Sequence, residues 1–344
     1  MINLAENKNP FYPSPAIKKK AQEVLDNISN YPDYKNVDIN RSIAAFFNVP
    51  EENAIITNGS MEGMNLLVDI LDTNSTTIYT PTFWGYSDAF IRREKKYNKV
   101  ALKNGMQYDF EQISSDAQKS SLIFLCNPNN PTLSSLDKED IQKLLLSNPN
   151  CNFIVDETML IFDPEYDKKT ISTLVSKCNN LSVICSFSKI FGLAGIRSGA
   201  LLSNCEVIKA AKQRQIPYGI DTIKQLIIPT ALKDKEYLQL SRVAIKQNSR
   251  ILCDKIESTT GFTTVNSGTN FVLVQANNGF TSTEIDAYLK TKGILIRNAK
   301  EAYPDMPGEY IRVSIGTKEE NEQLINELDN LVNKRREKRE FFER

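Results

Sequence analysis

Lys189 stands in the segment Ser186-Phe187-Ser188-Lys189, among small and hydroxyl-bearing residues. An apolar, strand-like run precedes it, so we expect its amine to lie where loss of water lowers its pKa and makes it a nucleophile. Ser186, Ser188 and the following Arg197 could donate hydrogen bonds to a phosphate. A surface lysine in a glycine-containing loop is the alternative interpretation.

Asp156 and Glu157 end a second apolar run, which begins at Asn152. A strand that ends in acidic residues places a carboxylate at the sheet edge where α/β proteins bind ligands. An aspartate there can hold the protonated pyridine nitrogen of a cofactor and strengthen its capacity to accept electrons. A helix cap or a magnesium ligand would use the same residue types.

Two further polar segments follow strand-like runs. Residues 57–63 lie between a predicted strand and a predicted helix, where backbone N–H groups and the Ser60 hydroxyl form a natural phosphate site. A plain helix cap with a glycine turn is the alternative there. Residues 126–132 predict a rigid, Asn-Pro-rich turn whose amides could contact a ring hydroxyl or simply close the turn.

Composition excludes several kinds of chemistry. The 344 residues include no histidine, which rules out Ser-His-Asp and Cys-His catalysis and His-ligated metal sites, and no metal centre is expected. Acid–base work falls to Lys, Asp, Glu, Tyr, Cys or a cofactor. The six cysteines form no Cys-x-x-Cys pair, so reduced thiols are predicted.

The net charge and the first residues of the sequence predict which partners the protein has and where in the cell it is found. Lys and Arg number 42 and balance 42 Asp and Glu, so neither nucleic acid nor a membrane is expected as a partner. The first residues show no basic, apolar signal sequence, and a cytoplasmic enzyme is therefore expected.

The elements that must position these residues are indicated by short apolar runs that alternate with helical periodicity. Together they predict an α/β fold, with a mostly parallel, seven-stranded sheet flanked by helices. The predicted strands are 54–57, 76–79, 99–101, 122–125, 152–155, 182–185 and 198–202, and the predicted helices are 61–71, 137–146, 206–215 and 223–232.

The pattern changes from Leu238 onward. A long amphipathic stretch at 238–258 precedes a strand-like run at 270–274, a helix at 282–292, a strand-like run at 310–314 and a final helix from 318. These segments predict a smaller α+β domain completed by the N-terminal segment. The predicted division is residues 31–235 for the large domain, and residues 1–30 with 236–344 for the small one.

The polar segments, in their order along the chain, resemble one family pattern. The chain resembles the fold-type-I pyridoxal-phosphate enzymes, in particular the branch that contains histidinol-phosphate aminotransferases and threonine-phosphate decarboxylases. The resemblance extends from Leu4–Pro15 to Ile311–Asn321. It implies pyridoxal 5′-phosphate as the cofactor.

The resemblance also implies a role for each residue of the cofactor site. Lys189 would form the Schiff base with the cofactor and then move the substrate Cα proton. Asp156 would pair with the pyridine nitrogen, Asn130 would support the ring's 3-oxygen, and Phe83 would stack on the ring. The residues implied for the cofactor phosphate are Gly59, Ser60, Met61 (through its backbone), Ser186, Ser188 and Arg197.

Substrate and partner contacts are implied in the same way. Arg312 matches an arginine that grips a substrate carboxylate, and Arg297 matches a second arginine near a substrate phosphate. Charges at strand edges are the alternative for both. Tyr31 resembles the tyrosine that reaches the cofactor phosphate of a neighbouring subunit, which implies a homodimer.

Three positions depart from the family pattern. Met159 stands where aminotransferases of this branch usually have a tyrosine, and the change leans towards decarboxylation. Leu133 and Tyr12 stand where relatives usually have glycine. Tyr12 is expected to reshape the substrate pocket and to contact the substrate.

The leading functional hypothesis is a pyridoxal-phosphate-dependent aminotransferase that acts on a small, phosphorylated amino acid or amine, similar to histidinol-phosphate aminotransferase. The close alternative is a decarboxylase of an O-phosphoamino acid. Both would use the same lysine, aspartate and phosphate site, so the motifs do not separate them. A cofactor-binding domain without catalysis is the alternative from another class, and the intact Lys189 argues against it.

Overall fold

The computed structural model describes residues 1–266 and 268–343, with the side chains of residues 338–343 left out. The β-strands are β1 (Ile2–Asn3), β2 (Ala54–Thr57), β3 (Thr76–Thr80), β4 (Asn98–Ala101), β5 (Leu122–Cys126), β6 (Asn152–Asp156), β7 (Leu181–Ser186), β8 (Gly199–Ser203), β9 (Thr263–Val265), β10 (Phe271–Gln275), β11 (Ile294–Leu295), β12 (Arg297–Asn298) and β13 (Tyr310–Ser314). The α-helices are α1 (Pro15–Val24), α2 (Val37–Phe47), α3 (Ser60–Ile70), α4 (Gly85–Ile91), α5 (Phe110–Ala117), α6 (Lys138–Ser147), α7 (Tyr166–Lys169), α8 (Phe187–Ile190), α9 (Cys205–Arg214), α10 (Thr222–Lys233), α11 (Lys235–Thr260), α12 (Ser282–Thr291), α13 (Ala299–Ala302) and α14 (Lys318–Glu343).

The large sheet has seven strands in the order β2-β8-β7-β6-β5-β3-β4. β8 is antiparallel to both of its neighbours, and the other adjacent pairs are parallel. Every residue of β5 and β7 is buried, as expected for strands that helices cover on both faces. The prediction of a mostly parallel, seven-stranded sheet is confirmed.

Side chains of the large sheet alternate between two apolar clusters. On one face Ile123 and Val155 pack with α2 and α6, and on the other face Phe124 and Ile154 pack with α3, α4 and α9. Strand side chains point to opposite faces with a period of two, so each strand contributes to both clusters. The result is a three-layer arrangement that leaves the strand ends as the exposed edges of the sheet.

A second, antiparallel sheet follows α11 and has the order β12-β13-β10-β9. Helices α11 and α12 pack against this sheet, and α14 packs against both helices. The strands at 270–274 and 310–314 and the helices after 238, 282 and 318 were predicted from the sequence, with ends within three residues of those observed.

The N-terminal segment joins the two sheets. β1 pairs with β11, and the Ser314 N–H donates to the Leu4 carbonyl at 2.8 Å. Further along, the Asn9 side chain donates to the Ile190 carbonyl at 2.7 Å. Helix α1 then packs against α10, which lies within the range predicted for the large domain.

Within residues 1–266 and 268–343, no helix combines the length and the hydrophobicity that a membrane crossing needs.

Candidate active site

A cavity of about 360 Å³ opens at the carboxyl edge of the large sheet. Strands β5, β6 and β7 run in the same direction, so the residues at their ends meet at this edge. The lining residues are Asn7, Ser60, Met61, Phe83, Trp84, Cys126, Asn130, Asp156, Thr158, Met159, Ser186, Ser188, Lys189, Ala194 and Arg197. Most of the residues predicted for the cofactor site therefore share one cavity.

Asp156 is the last residue of β6 and is buried. Its carboxylate accepts hydrogen bonds from the Tyr86 hydroxyl at 2.9 Å and from the Thr158 N–H at 2.9 Å. Burial raises the pKa of Asp156, and the bonds from Thr158 and Tyr86 oppose that rise. A cation placed beside this carboxylate would be stabilised strongly, because little water is present to screen it.

Lys189 lies in the short helix α8, directly after β7. Its Nζ donates to the Glu6 carbonyl at 2.6 Å. The pKa of Lys189 falls to about 8, first because burial removes water from the amine and then because the Arg312 charge lies nearby. Near neutral pH the neutral, nucleophilic fraction of this amine is therefore larger than that of an ordinary exposed lysine.

An anion site forms where α3 begins. Gly59 precedes the helix with a φ of +77°, a conformation that glycine adopts without strain. Arg197 lies over this turn, since a β-carbon on Gly59 would be 2.9 Å from its Nη2. The same guanidinium donates through Nη1 to the Ser188 hydroxyl at 3.1 Å. Helix N–H groups, an arginine and the hydroxyls of Ser60 and Ser188 suit a phosphate.

Gly199 supports this anion site, although the sequence analysis did not identify it. A β-carbon there would lie 2.7 Å from both the Cys185 carbonyl and the Ser60 nitrogen. The backbones of β8 and the start of α3 therefore approach each other closely because residue 199 has no side chain. A glycine inside a predicted strand was the available signal for such an approach.

Aromatic side chains form one wall of the cavity. Phe83 lines it, and its ring meets that of Tyr86 edge-on with centroids 5.6 Å apart. Trp84 lines it too and is 57% exposed. Met159 is buried at the wall and carries no hydroxyl, so it makes only apolar contact there.

A second cavity, of about 470 Å³, adjoins the first. Lys189, Asn130 and Phe83 line both cavities, whereas Arg297 and Arg312 line only the second. A site for an anionic group therefore lies beside the Lys189 amine.

Arg312 is buried in β13 and is held by three oxygen acceptors. Nη1 donates to Asn130 Oδ1 at 2.7 Å and to the Tyr303 hydroxyl at 2.6 Å, and Nη2 donates to the Ala5 carbonyl at 2.8 Å. Burial lowers the pKa of Arg312. Tyr303 was not identified from the sequence, because its approach to Asn130 depends on the fold.

Arg297 lies in β12, directly opposite Arg312 in the antiparallel pairing with β13. Its side chain is exposed, unlike that of Arg312. The two arginines predicted to contact the substrate therefore converge on one cavity.

Tyr12 lies outside the residues that line the two cavities in the described part of the chain. Its ring is buried, with centroids 5.7 Å from Phe191 and 5.0 Å from Tyr237, both edge-on. These neighbours, directly after α8 and in α11, hold the ring in the core. The substrate contact of Tyr12 stays a prediction.

Leu133 and Tyr31 take different environments. Leu133 has a φ of +62°, which explains why glycine is favoured there, and its buried side chain packs into the core. Tyr31 is 88% exposed and packs against Tyr218, 5.5 Å away, outside both cavities.

The residues of the first cavity fit pyridoxal phosphate. A buried carboxylate whose pKa is raised by burial suits a protonated pyridine nitrogen, and Phe83 offers a flat apolar wall. The amine of Lys189 and the anion site at α3 provide partners for the aldehyde and the phosphate.

Comparison with known proteins gives consistent results. The sequence model of the aminotransferase class I and II family matches residues 1–328. Histidinol-phosphate aminotransferase from Methanococcus aeolicus is 30% identical over 340 residues, which cover 97% of this chain and 90% of that protein. The enzyme of the same name from Brevibacillus brevis is 28% identical and covers 96% and 90% of the two chains.

Solved structures show the same fold. Histidinol-phosphate aminotransferase from Clostridium acetobutylicum superimposes with a TM-score of 0.90 at 21% identity, over 97% of this chain and 100% of that one. The Sinorhizobium meliloti enzyme, solved with pyridoxal-5′-phosphate, gives 0.85 at 21% identity over 97% and 91%. L-threonine-O-3-phosphate decarboxylase from Porphyromonas gingivalis gives 0.81 at 21% identity over 97% and 100%.

Proposed function

The chain belongs to the class I and II aminotransferase family, and we propose that it transfers the amino group of a small, phosphorylated substrate of the histidinol-phosphate type. It is a pyridoxal-phosphate-dependent aminotransferase. The proposal concerns the substrate, the roles of individual residues and the assembly.

One observation carries the proposal: Lys189 lines both cavities. On one side lie Asp156 and the anion site at α3, and on the other side lie Arg297 and Arg312. An amine in this position can reach a group bound in the first cavity and a carbon atom whose anionic substituent is held in the second.

Bound pyridoxal phosphate supplies a conjugated ring that stabilises negative charge developing on the substrate Cα. Asp156 would keep the ring nitrogen protonated. The phosphate would be held by Ser60, Ser186, Ser188 and Arg197, with the N–H groups of Gly59 and Met61. Phe83 would cover one face of the ring.

Lys189 Nζ would take the proton from the substrate Cα, hold it and return it. Its pKa of about 8 suits both uptake and release of a proton near neutral pH. The chain has no histidine that could share this work.

Arg312 and Arg297 bind the anionic group of the substrate. A phosphate and a carboxylate both present oxygen acceptors to a guanidinium fork, so one pair of arginines can accept a phosphorylated amine and an amino acid in turn. That alternation is what an aminotransferase requires.

The assembly and the location follow from the resemblance. A homodimer in the cytoplasm is proposed, in which Tyr31 donates its hydroxyl to the cofactor phosphate of the partner subunit. Its high exposure, 88%, leaves the hydroxyl accessible to another chain. The division into a large domain, 31–235, and a small domain, 1–30 with 236–344, also remains a proposal.

The test uses purified protein loaded with pyridoxal phosphate. Histidinol phosphate, O-phosphoserine and O-phosphothreonine are each incubated with and without 2-oxoglutarate, and the products are measured by mass spectrometry. We expect glutamate to form from histidinol phosphate only when 2-oxoglutarate is present. Glutamate from the unphosphorylated amine histidinol at the same rate would exclude the phosphorylated substrate class.

Met159 favours a second candidate function. It lines the first cavity without a hydroxyl, at a position where aminotransferases of this branch usually have tyrosine. A decarboxylase of an O-phosphoamino acid would release carbon dioxide from O-phosphothreonine or O-phosphoserine and retain the amine, independently of 2-oxoglutarate. The same incubation distinguishes the two reactions.

A further inference from the structure

The Tyr303 hydroxyl lies between the Arg312 guanidinium and the Asn130 side chain. It accepts a hydrogen bond from Arg312 Nη1 at 2.6 Å and donates one to Asn130 Oδ1 at 2.9 Å. Arg312 Nη1 also donates directly to Asn130 Oδ1 at 2.7 Å. The three side chains thus form a closed triangle, and both Tyr303 and Arg312 are buried.

Only one arrangement of hydrogens satisfies this triangle. A guanidinium donates and cannot accept, so the Tyr303 oxygen must accept from Arg312. Its single hydrogen must then go to Asn130, and Asn130 must present its oxygen and not its nitrogen. Tyr303 and Arg312 together therefore prevent the Asn130 amide from turning over.

The fixed amide leaves one donor for the cofactor cavity. Asn130 lines that cavity, and its Nδ2 makes no hydrogen bond to any described residue. Met159 lines the same cavity and provides no hydroxyl that could replace this donor. The orientation of one amide thus decides whether a ring oxygen meets an N–H group or a carbonyl oxygen.

We propose that Tyr303 is a positioning residue that holds the Asn130 amide with Nδ2 directed at the 3-oxygen of the cofactor ring. The inference rests on the proposed roles of Lys189 and Asn130 in cofactor binding. Aminotransferases of this branch usually have a tyrosine at the position of Met159. Tyr303, acting through Asn130, would replace part of the support that such a tyrosine gives to the ring oxygen.

The local fold holds Tyr303 in place. It follows α13, and its N–H donates to the Ala299 carbonyl at 2.9 Å. The helix is capped by Asn298, whose side-chain oxygen accepts from the N–H groups of Lys300 at 3.2 Å and Glu301 at 3.4 Å. Tyr303 therefore reaches Asn130 from a constrained backbone and with little loss of side-chain freedom.

The test is a pH titration of the absorbance of the lysine-bound cofactor, without substrate. A hydrogen-bond donor stabilises the ionised form of the ring oxygen. Loss of that donor should therefore raise the pH at the midpoint of the absorbance change. For Tyr303→Phe we expect a rise of about 0.4 to 1 pH unit, the equivalent of one hydrogen bond. Tyr310→Phe is the matched control, because Tyr310 lies in the same strand as Arg312 and its hydroxyl bonds to no described residue.

A double-mutant cycle shows whether Tyr303 acts through Asn130. Asn130→Ala should raise the midpoint, and adding Tyr303→Phe to it should produce no further rise. Thermal unfolding confirms that each variant is folded. Tyr303→Leu, which removes the hydroxyl within a smaller side chain, replaces the phenylalanine variant if that one does not fold.

The inference is overturned if the Tyr303→Phe and Tyr310→Phe variants have the same midpoint in the pH titration. An equal rise in the Asn130→Ala background also overturns it, because Tyr303 would then act by another route. Failure of the unaltered protein to bind the cofactor would overturn both this inference and the proposed cofactor site. A midpoint shift without amino transfer from histidinol phosphate would leave the inference standing and remove only the proposed substrate.

Discussion

Arg297 and Arg312 face each other directly across the antiparallel strands β12 and β13. Side chains in that relationship have β-carbons about 5 Å apart, and like charges there repel. Both arginines line the cavity beside Lys189, and the Arg297 charge contributes to lowering the pKa of Arg312. Two opposed cations in one cavity support the proposal that an anionic group of the substrate binds between them.

Substitution of Arg312 should affect every anionic substrate. Arg312→Lys keeps the charge but removes the planar fork, so we expect kcat/KM to fall by about 30- to 1000-fold for both histidinol phosphate and glutamate, or about 2 to 4 kcal/mol. Steady-state kinetics with each substrate gives the values. Arg297→Lys is the matched control and should have a smaller effect, because Arg297 is exposed. Equal losses in the two variants would contradict the assignment.

Lys189 should be required for covalent attachment of the cofactor. Lys189→Ala should lose the visible absorbance of the lysine-bound cofactor, whereas Lys8→Ala, a nearby lysine that is half exposed, should keep it. In the unaltered protein the amine becomes neutral as the pH rises through about 8. The rate of cofactor attachment, followed by stopped-flow absorbance, should therefore rise with pH across that range. A rate that does not change between pH 6.5 and 9 would exclude Lys189 as the attachment point.

Protonation of Glu157 should make the fold more stable in mild acid than at pH 8. Its carboxyl group is fully buried and accepts hydrogen bonds from Thr170 and from the Ile171 N–H at 2.9 Å. Burial raises the pKa of Glu157 from 4.5 to about 7. The folded state therefore binds the proton more tightly than the unfolded state, and this stability is fully present below pH 4.5 and is lost as the pH rises through 7.

Glu157→Gln removes this titration and keeps the shape of the side chain. The difference in unfolding free energy between the unaltered protein and the variant should shift by about 3 kcal/mol between pH 4.5 and pH 8, in favour of the variant at the higher pH. Urea unfolding at both pH values measures it. The exposed Glu111→Gln on α5 is the control and should show no such shift. A pH-independent difference for Glu157→Gln would show that the carboxyl group is already ionised in the fold.

Gly199 should tolerate no side chain. A methyl group there would lie 2.7 Å from backbone atoms of Cys185 and Ser60, so Gly199→Ala should lower the unfolding free energy by about 1 to 3 kcal/mol. It should also weaken cofactor binding, because the start of α3 must move. Gly195→Ala is the control, since a β-carbon there meets no described atom within 4 Å. Equal effects of both variants, measured by thermal unfolding and cofactor titration, would contradict this explanation.

Local pattern predicted much of the fold. Six of the seven strands of the large sheet are short runs whose residues are almost all buried, so each run identified its strand without knowledge of its neighbours. The exception is the edge strand β4, which is largely exposed. Helices α1 and α2 were not predicted. Their apolar positions, such as Ile17 and Ile43, were recognised as buried only once α10 was seen to pack against both helices.

The cofactor cavity was also largely predictable. Asp156, Ser60 and Lys189 each follow a strand or begin a helix, and parallel strands bring such positions to the same sheet edge. The surroundings of Tyr12 were not predictable in the same way. Its ring packs against Phe191 and Tyr237, which are distant in the sequence.

By itself, the sequence determined most strands, the sheet edge where the candidate site lies, the lysine proposed for cofactor attachment and the exclusion of histidine chemistry, because these depend on residue type and on near neighbours. Only the tertiary structure decided the pairing of Arg297 with Arg312, the close approach at Gly199 and the contact of Tyr303 with Asn130. Tyr303 and Asn130 are 173 residues apart. Contacts of that kind depend on how the two sheets pack, and no local pattern contains that information.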